Sequence, residues 1–322
     1  MKRTYTRREF SAYTLGMGLA GGAMASMSSP AAAETDYEMD DAGVPRPADA
    51  DELQSALNDA PEHSMVECQS GVYRPGSTLD IPDWVTLNAT GAVIEPRHDG
   101  AAVSVSRRGA AKLRGGTIRL GSSGGTGVLN STGVSDSVHK WDSICYDTTV
   151  TATPGSGAVG YDLQAFNDEH NFYHAPTLRT DGVDTPIHVR SPAGGGFVTS
   201  FCPSIRATEY DTLVHCEGGG STTIAHGMVW IRPGTDPGNS ASSLLEFDVN
   251  DGVHFMTSGY VANPDAHDQL LWIRETRNGD RGGHSFMSYD GYSSRRDPGF
   301  VRNDTDDDDT VVIDCSDLAR QN

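Results

Sequence analysis

The feature that most constrains this 322-residue chain is a long-period recurrence of short apolar runs in its second half. One set centres on Phe172, Val198, Ile224, Phe255 and Phe286, at intervals of 26, 26, 31 and 31 residues. A second set follows a few residues later at Leu178, Ile205, Trp230, Val261 and Tyr292, and a third centres on Tyr161, Ile187, Leu213, Leu245, Leu271 and Phe300. Three short strands per turn, at a nearly fixed period between about 20 and 50 residues, predict a solenoid. Antiparallel sandwiches, the competing architecture, carry turn signals roughly every 8–12 residues without that higher register.

The first half fits the same scheme. Short β-type runs at 65–68, 72–73, 78–81, 85–87, 93–94, 103–105, 116–120 and 127–129 are separated by Gly, Pro, Asn and Asp. Ahead of them, 51–60 reads as a short amphipathic helix. Asp49 or Asp51 can cap it, and Leu53, Ala56, Leu57 and Ala60 form its apolar face. The expected fold class is all-β, a parallel β-helix of about nine coils with three short strands per coil. Each strand pairs with its equivalent one coil away, which satisfies its backbone groups. The N-terminal helix would cover the open end of the stack. Longer intervals place insertions at 233–242 and 278–283.

Charge narrows the partners. Asp and Glu number 44 against 24 Lys and Arg, a formal net charge of −20, so nucleic acid and anionic lipid are poor partners. No run of about 20 apolar residues occurs, so a helical membrane span is not expected. Only Lys2, Lys112 and Lys140 are lysines, while 32 of the acids are Asp. This composition resembles that of proteins from salt-accumulating halophiles, haloarchaea above all. Such a surface tolerates its own repulsion when salt shortens the Debye length to about 3 Å at 1 M.

The N-terminus reads Thr6-Arg7-Arg8-Glu9-Phe10, then a mild Gly- and Ala-rich stretch, then Ala31-Ala32-Ala33 before Glu34. It resembles a twin-arginine export signal, which implies an extracellular or cell-surface destination. The expected organisation is a signal at 1–33, a flexible acidic leader at 34–47, the β-helix with its helix at 48–304, and an acidic C-terminal segment at 305–322. Val311-Val312-Ile313 can add a last strand. The five cysteines (Cys68, Cys145, Cys202, Cys216 and Cys315) lack zinc spacing and read chiefly as buried thiols, with a Cys202–Cys216 pairing left open. Asn88, Asn130 and Asn303 each begin an N-glycosylation triplet.

The run Gly71-Val72-Tyr73-Arg74-Pro75-Gly76, Leu79-Asp80-Ile81-Pro82, Val85-Thr86-Leu87 and Gly91-Ala92-Val93-Ile94, following the helix, resembles the opening of pectin lyase-like right-handed β-helix proteins. The likeness covers most of 48–304 as pattern rather than identity. It implies a right-handed coil and a polysaccharide or surface glycan lying along an outer groove of one sheet. Some members cleave such polymers as hydrolases or lyases. Others are non-catalytic adhesins, envelope components or tailspikes, and tailspikes imply a homotrimer.

The third strand set supplies the candidate site. With Ile187, Val189, Leu245, Phe247, Leu271 and Ile273 inward, His188, Arg190, Glu246, Asp248, Trp272 and Arg274 form one exposed strip. Glu246 and Asp248 are candidate acid and base, while His188, Arg190, Trp272 and Arg274 are candidate sugar-binding groups. A second carboxylate pair, Asp184 and Asp211, lies 27 residues apart at strand entry. It matches the clustered aspartates of polygalacturonases only in part. The paired aspartates, Gly-His-Gly and Arg-x-Lys of those enzymes are missing, and Ala225-His226-Gly227 lacks the first glycine. A lyase version would use Arg190 or Arg274 as base, with Glu246 and Asp248 holding Ca²⁺. No dedicated metal or cofactor motif is present, so Ca²⁺ is expected to be held loosely if at all.

The charge reading has a direct test. The melting midpoint followed by circular dichroism should rise steadily between 0.1 M and 3 M KCl, and a flat or falling curve would remove the salt-adaptation reading.

Overall fold

The computed structural model describes residues 3–5, 37–40, 42–105, 111–131, 139–141, 144–164, 170–173, 177–190, 197–201, 204–217, 223–231, 238, 243–249, 253–261, 269–275, 285–287, 290–291, 301–303 and 311–313. Among these the chain is mostly β, with one helix and three sheets built wholly from parallel pairs. The expected strand arrangement is thus present at the level of stacked parallel sheets.

The nine-stranded sheet positions the candidate site. Its strands, in chain order, are β1 (Leu79–Asp80), β2 (Ala101–Ser104), β3 (Thr126–Ser131), β4 (Val159–Gln164), β5 (Thr185–Arg190), β6 (Thr212–Glu217), β7 (Ser243–Val249), β8 (Gln269–Glu275) and β9 (Val301–Asn303). Spatial order follows sequence order, and each step between neighbours crosses over through strands of the other sheets. A four-stranded sheet stacks Met65–Glu67, Thr86–Asn88, Lys112–Arg114 and Ile144–Tyr146 in the same way. A fourteen-stranded sheet takes the remaining parallel strands.

The core runs down the stack. Leu79, Val103, Val128, Tyr161, Ile187 and Val214 occupy one register row of the nine-stranded sheet, each at most 2% exposed. Val66, Leu87 and Leu113 do the same in the four-stranded sheet, and Tyr73, Ile94, Ile118 and Val150 in the fourteen-stranded one. All belong to one apolar cluster. At about 25 cal/mol per Å² of apolar surface removed from water, such columns are the main favourable term.

Helix α1 (Ala50–Asp59) begins at Asp49, whose carboxylate accepts from the Asp51 and Glu52 amides at 3.0 and 2.9 Å. Leu53, Ala56 and Leu57 are fully buried in the common core. The Gln54 amide lies against edge strand β1, donating to the Asp80 carbonyl at 3.2 Å and accepting from the Asp80 amide at 2.9 Å. It stands in for the missing neighbouring strand. Part of the acidic leader is also tied down. Tyr37–Met39 pairs antiparallel with Pro45–Arg46 and with Arg3–Tyr5, and the Arg46 and Pro47 carbonyls accept from Gln69 and the Tyr73 hydroxyl.

The structure corrects the expected strand arrangement in two ways. First, the register slips. Tyr161 and Ile187 align as expected, but the next partners are Val214, Leu245, Leu271 and Val301, not Leu213 and Phe300. The coil between β5 and β6 carries one residue more than the apolar spacing suggested, because Leu213 is itself fully buried and masks the slip. Phe172, Phe255 and Phe286 likewise align with Ser200, Ala225 and Met256, and Trp230 with Ser204 and Tyr260. Second, two expected strands fuse. Thr223–Ile231 pairs through its first half with Phe197–Phe201 and through its end with Ser204–Thr208, and Val253–Val261 continues the same pattern. In the preceding coils Pro176 and Pro203 fall between the two strands and cannot donate to a ladder. The fused strands contain no proline.

Two non-glycine residues hold left-handed backbone at equivalent turns, His63 at φ 63° and Trp84 at φ 64°. That conformation costs an L-residue roughly 1–2 kcal/mol.

Gly116 marks a close approach between coils. Its φ is +80°, and a Cβ there would meet Ala89 Cβ and the Ala89 carbonyl oxygen at 2.8 Å each. Gly116→Ala is expected to cost about 2–4 kcal/mol in chemical denaturation at fixed salt, from left-handed strain plus overpacking.

Candidate functional site

Because successive side chains on a strand alternate, the buried Tyr161, Ile187 and Val214, whose register row continues through Leu245 and Leu271, set the next residue of each strand in a neighbouring row. That row reads Asp162, His188, His215, Glu246 and Trp272 across β4 to β8. Two residues further on, the second outer row reads Gln164, Arg190, Glu217, Asp248 and Arg274. Neighbouring members of a row are about 4.8 Å apart along the stack. All six expected strip residues fall on these two rows. The side chains of Asp248, Trp272 and Arg274 lie outside the described part, as do those of Cys145, Cys202, Cys216 and Cys315.

The rows are joined into one network around Asp162, which is 2% exposed. Arg190 grips its carboxylate with both ends of the guanidinium fork, Nε to Oδ1 at 3.1 Å and Nη2 to Oδ2 at 2.7 Å. Gln164 Nε2 donates to Oδ2 at 2.8 Å. His188 stands between two carboxylates, its Nδ1 3.8 Å from Asp162 and its Nε2 3.5 Å from Glu217. The His188 and His215 rings stack at 4.8 Å, 11° from parallel. This spacing follows directly from the strand repeat.

The electrostatics follow from these contacts. The bond to Asp162 holds Arg190 further above its already high value. Contact with His188, then the positive potential of His188, His215 and Arg190, outweighs burial and holds Glu217 below the ordinary glutamate value. Glu217 therefore stays ionised through the neutral range, with 43% of its side chain exposed.

Glu246 departs from expectation. It was read as an exposed acid or base, yet it is 5% exposed and accepts from Thr212 Oγ1 at 2.8 Å. Asp184 is also buried, at 7% exposure. Its carboxylate accepts from the Gly155 amide at 2.7 Å, the Ala158 amide at 3.2 Å and the Gly157 amide. It pins the turn of the preceding coil. Asp211, one coil on, is exposed, and partial burial followed by the Asp184 charge pushes its carboxyl up.

Sequence reading missed Asp162, His215 and Glu217. The last two were hidden by the one-residue slip at β6, which exchanges inward and outward positions. Asp162 carried a usable signal, since it follows Tyr161 as His188 follows Ile187. Other expectations also meet the structure here. Asn130 is fully buried, so its glycosylation triplet is inaccessible once folded. Cys68 is a buried free thiol, raised to about 12 chiefly by burial. Among the described residues no three His, Cys, Asp or Glu side chains converge as metal ligands, and no helix is long and apolar enough to cross a membrane.

The two shifted carboxyls predict opposite pH effects. Glu217, lowered from 4.5, contributes stability that is complete above that value and is lost as pH falls through the folded value. Asp211, raised from 3.8, costs stability that appears as pH rises through its folded value. In melting curves from pH 3 to 7 at one salt concentration, Glu217→Gln should flatten the acid-side loss. Asp211→Asn should raise the midpoint at pH 7 but not at pH 3.

Compared with family models, with curated proteins and with solved structures, the chain matches none.

Proposed function

We propose that the chain is an exported right-handed parallel β-helix, closed at its N-terminal end by α1, that binds an extracellular or cell-surface polysaccharide along the two outer rows of the nine-stranded sheet. The observation that carries this reading is the Asp162–Arg190–His188–Glu217 network. It is a rigid, in-register strip of hydrogen-bonding groups on one face of a long parallel stack. Fixed donors and acceptors at regular spacing suit a repeating hydroxyl-rich polymer, since little side-chain freedom is lost on binding. A formal charge of −20 favours neutral sugars over polyanionic ones.

Recognition without cleavage fits the described carboxylates best. A glycosidase needs one carboxyl held protonated near neutral pH and a second one ionised. Asp162 and Asp184 are tied up by Arg190, Gln164 and backbone amides, Glu246 is buried against Thr212, and Glu217 is held ionised. The hydrolytic version keeps one supporting observation, the raised carboxyl of Asp211 beside Asp184. An adhesin, envelope or tailspike-like role, with a homotrimer as one assembly, is the form the reading takes without catalysis.

The mature protein should be incubated with neutral and acidic polysaccharides at multimolar salt, following bound polymer, reducing ends and unsaturated products. The expected result is binding of a neutral polymer without new ends, weakened at least 10-fold by Glu217→Gln. Reducing ends abolished by Asp211→Asn would establish the hydrolase instead, and unsaturated products would establish a lyase. Absence of binding to every polymer would overturn the reading.

A further inference from the structure

The corner between β1 and the strand Thr86–Asn88 repeats a short turn one coil apart. Pro61-Glu62-His63-Ser64 and Pro82-Asp83-Trp84-Val85 place a proline, an acid and a ring in the same order. Both close with an amide donating to the proline carbonyl at 3.2 Å, Ser64 to Pro61 and Val85 to Pro82. In both, the ring-bearing residue is the one at positive φ. The His63 amide donates to the Trp84 carbonyl at 2.9 Å, which locks the two turns together. The rings meet at 5.3 Å with planes 50° apart.

Local folding gives no reason for rings at these positions. A glycine would close each turn without the left-handed penalty. Nor does burial explain them, since Trp84 is 41% exposed and His63 is exposed. A tryptophan held at positive φ with its ring partly in solvent is the kind of backbone outlier that points to a use.

We propose that the Trp84–His63 corner is a second glycan subsite, in which a neutral pyranose stacks its apolar face on the Trp84 indole. The inference rests on the glycan-binding reading above, but on a different face from the His188 row. An indole offers a flat apolar surface with little conformational freedom to lose. Exposed Glu62, which precedes His63, accepts hydrogen bonds from sugar hydroxyls, and its charge, with Asp83, disfavours uronates. The His63 ring touches the indole at a tilt and leaves part of it exposed.

The strain makes the test unusually clean, because removing the ring should not weaken the fold. Soluble neutral hexasaccharides (malto-, cello- and mannohexaose) are titrated into full-length mature protein at 3 M KCl, read by tryptophan fluorescence and calorimetry. Wild type should bind at least one of them. Trp84→Gly should bind it at least 10-fold more weakly with an unchanged or higher melting midpoint, while Trp84→Phe should stay within about threefold. Equal affinity in Trp84→Gly and wild type would overturn the subsite and leave the strip standing if Glu217→Gln still loses binding. A lowered midpoint in Trp84→Gly would show the ring to be structural and would overturn the subsite. Failure of wild type to bind any hexasaccharide, while still binding a polymer, would also overturn it. Failure with polymers as well would remove the strip reading too.

Discussion

Most of what the described residues show depends on one pairing rule: each strand of the three parallel sheets pairs with the equivalent strand one coil earlier, one coil later or both. The ladders β1 to β9 show it, with spatial order following sequence order. Parallel ladders of this kind bury apolar residues in columns, because register puts like positions on top of one another. They also leave an unpaired edge at each end, and an exposed edge invites association with other chains. At the β1 edge, Gln54 provides the answer chemically. A side-chain amide carries the same donor and acceptor as a peptide group, and Gln54 presents both to Asp80. Burial of Leu53, Ala56 and Leu57 holds it in place.

The same rule decides what shows outside. A period of two along the strand means that a slip of one residue exchanges core and surface. The coil period, the parallel class and the helix were legible because they rest on apolar residues repeating over many coils, where one error changes little. The site was legible only in part, because it rests on parity within single strands. At β5, Ile187 and Val189 fixed the parity and His188 and Arg190 followed. At β6, Leu213 and Val214 are both buried, so the apolar pattern carried no parity and His215 and Glu217 were lost. The fused strands were missed for a related reason. Their signal is the absence of a proline, which a search for apolar centres does not weigh.

Pairing across coils also governs how an acidic chain places its carboxylates. Stacking puts row neighbours about 4.8 Å apart, where two bare carboxylates would repel. Several acids avoid this by taking a cation or a histidine as neighbour, although Glu217 and Asp248 are register partners. Asp162 lies next to Arg190 and His188, Glu217 next to His188, and Glu95 bridges Arg74 and Arg119 on another face. Asp181 accepts from Thr208 at 2.6 Å by the same logic. A turn carboxylate takes backbone amides instead, as Asp184 does.

Such partnering bears on the proposed glycan reading, in which the protein either acts on sugar or only holds it. A carboxylate that has found a cation or an amide next door is stable, ionised and rigid, which serves recognition. Acid catalysis asks for the reverse, a carboxyl kept short of partners so that it retains its proton. The partnering of Asp162 and Glu217 therefore works against either of them as a general acid. A carboxyl short of such partners is favoured at the ends of strands, where loops interrupt the ladder. Asp211, at the entry to β6 and raised beside Asp184, occupies just such a break. Under the proposed glycan reading the strip would therefore bind, with any chemistry at its margin.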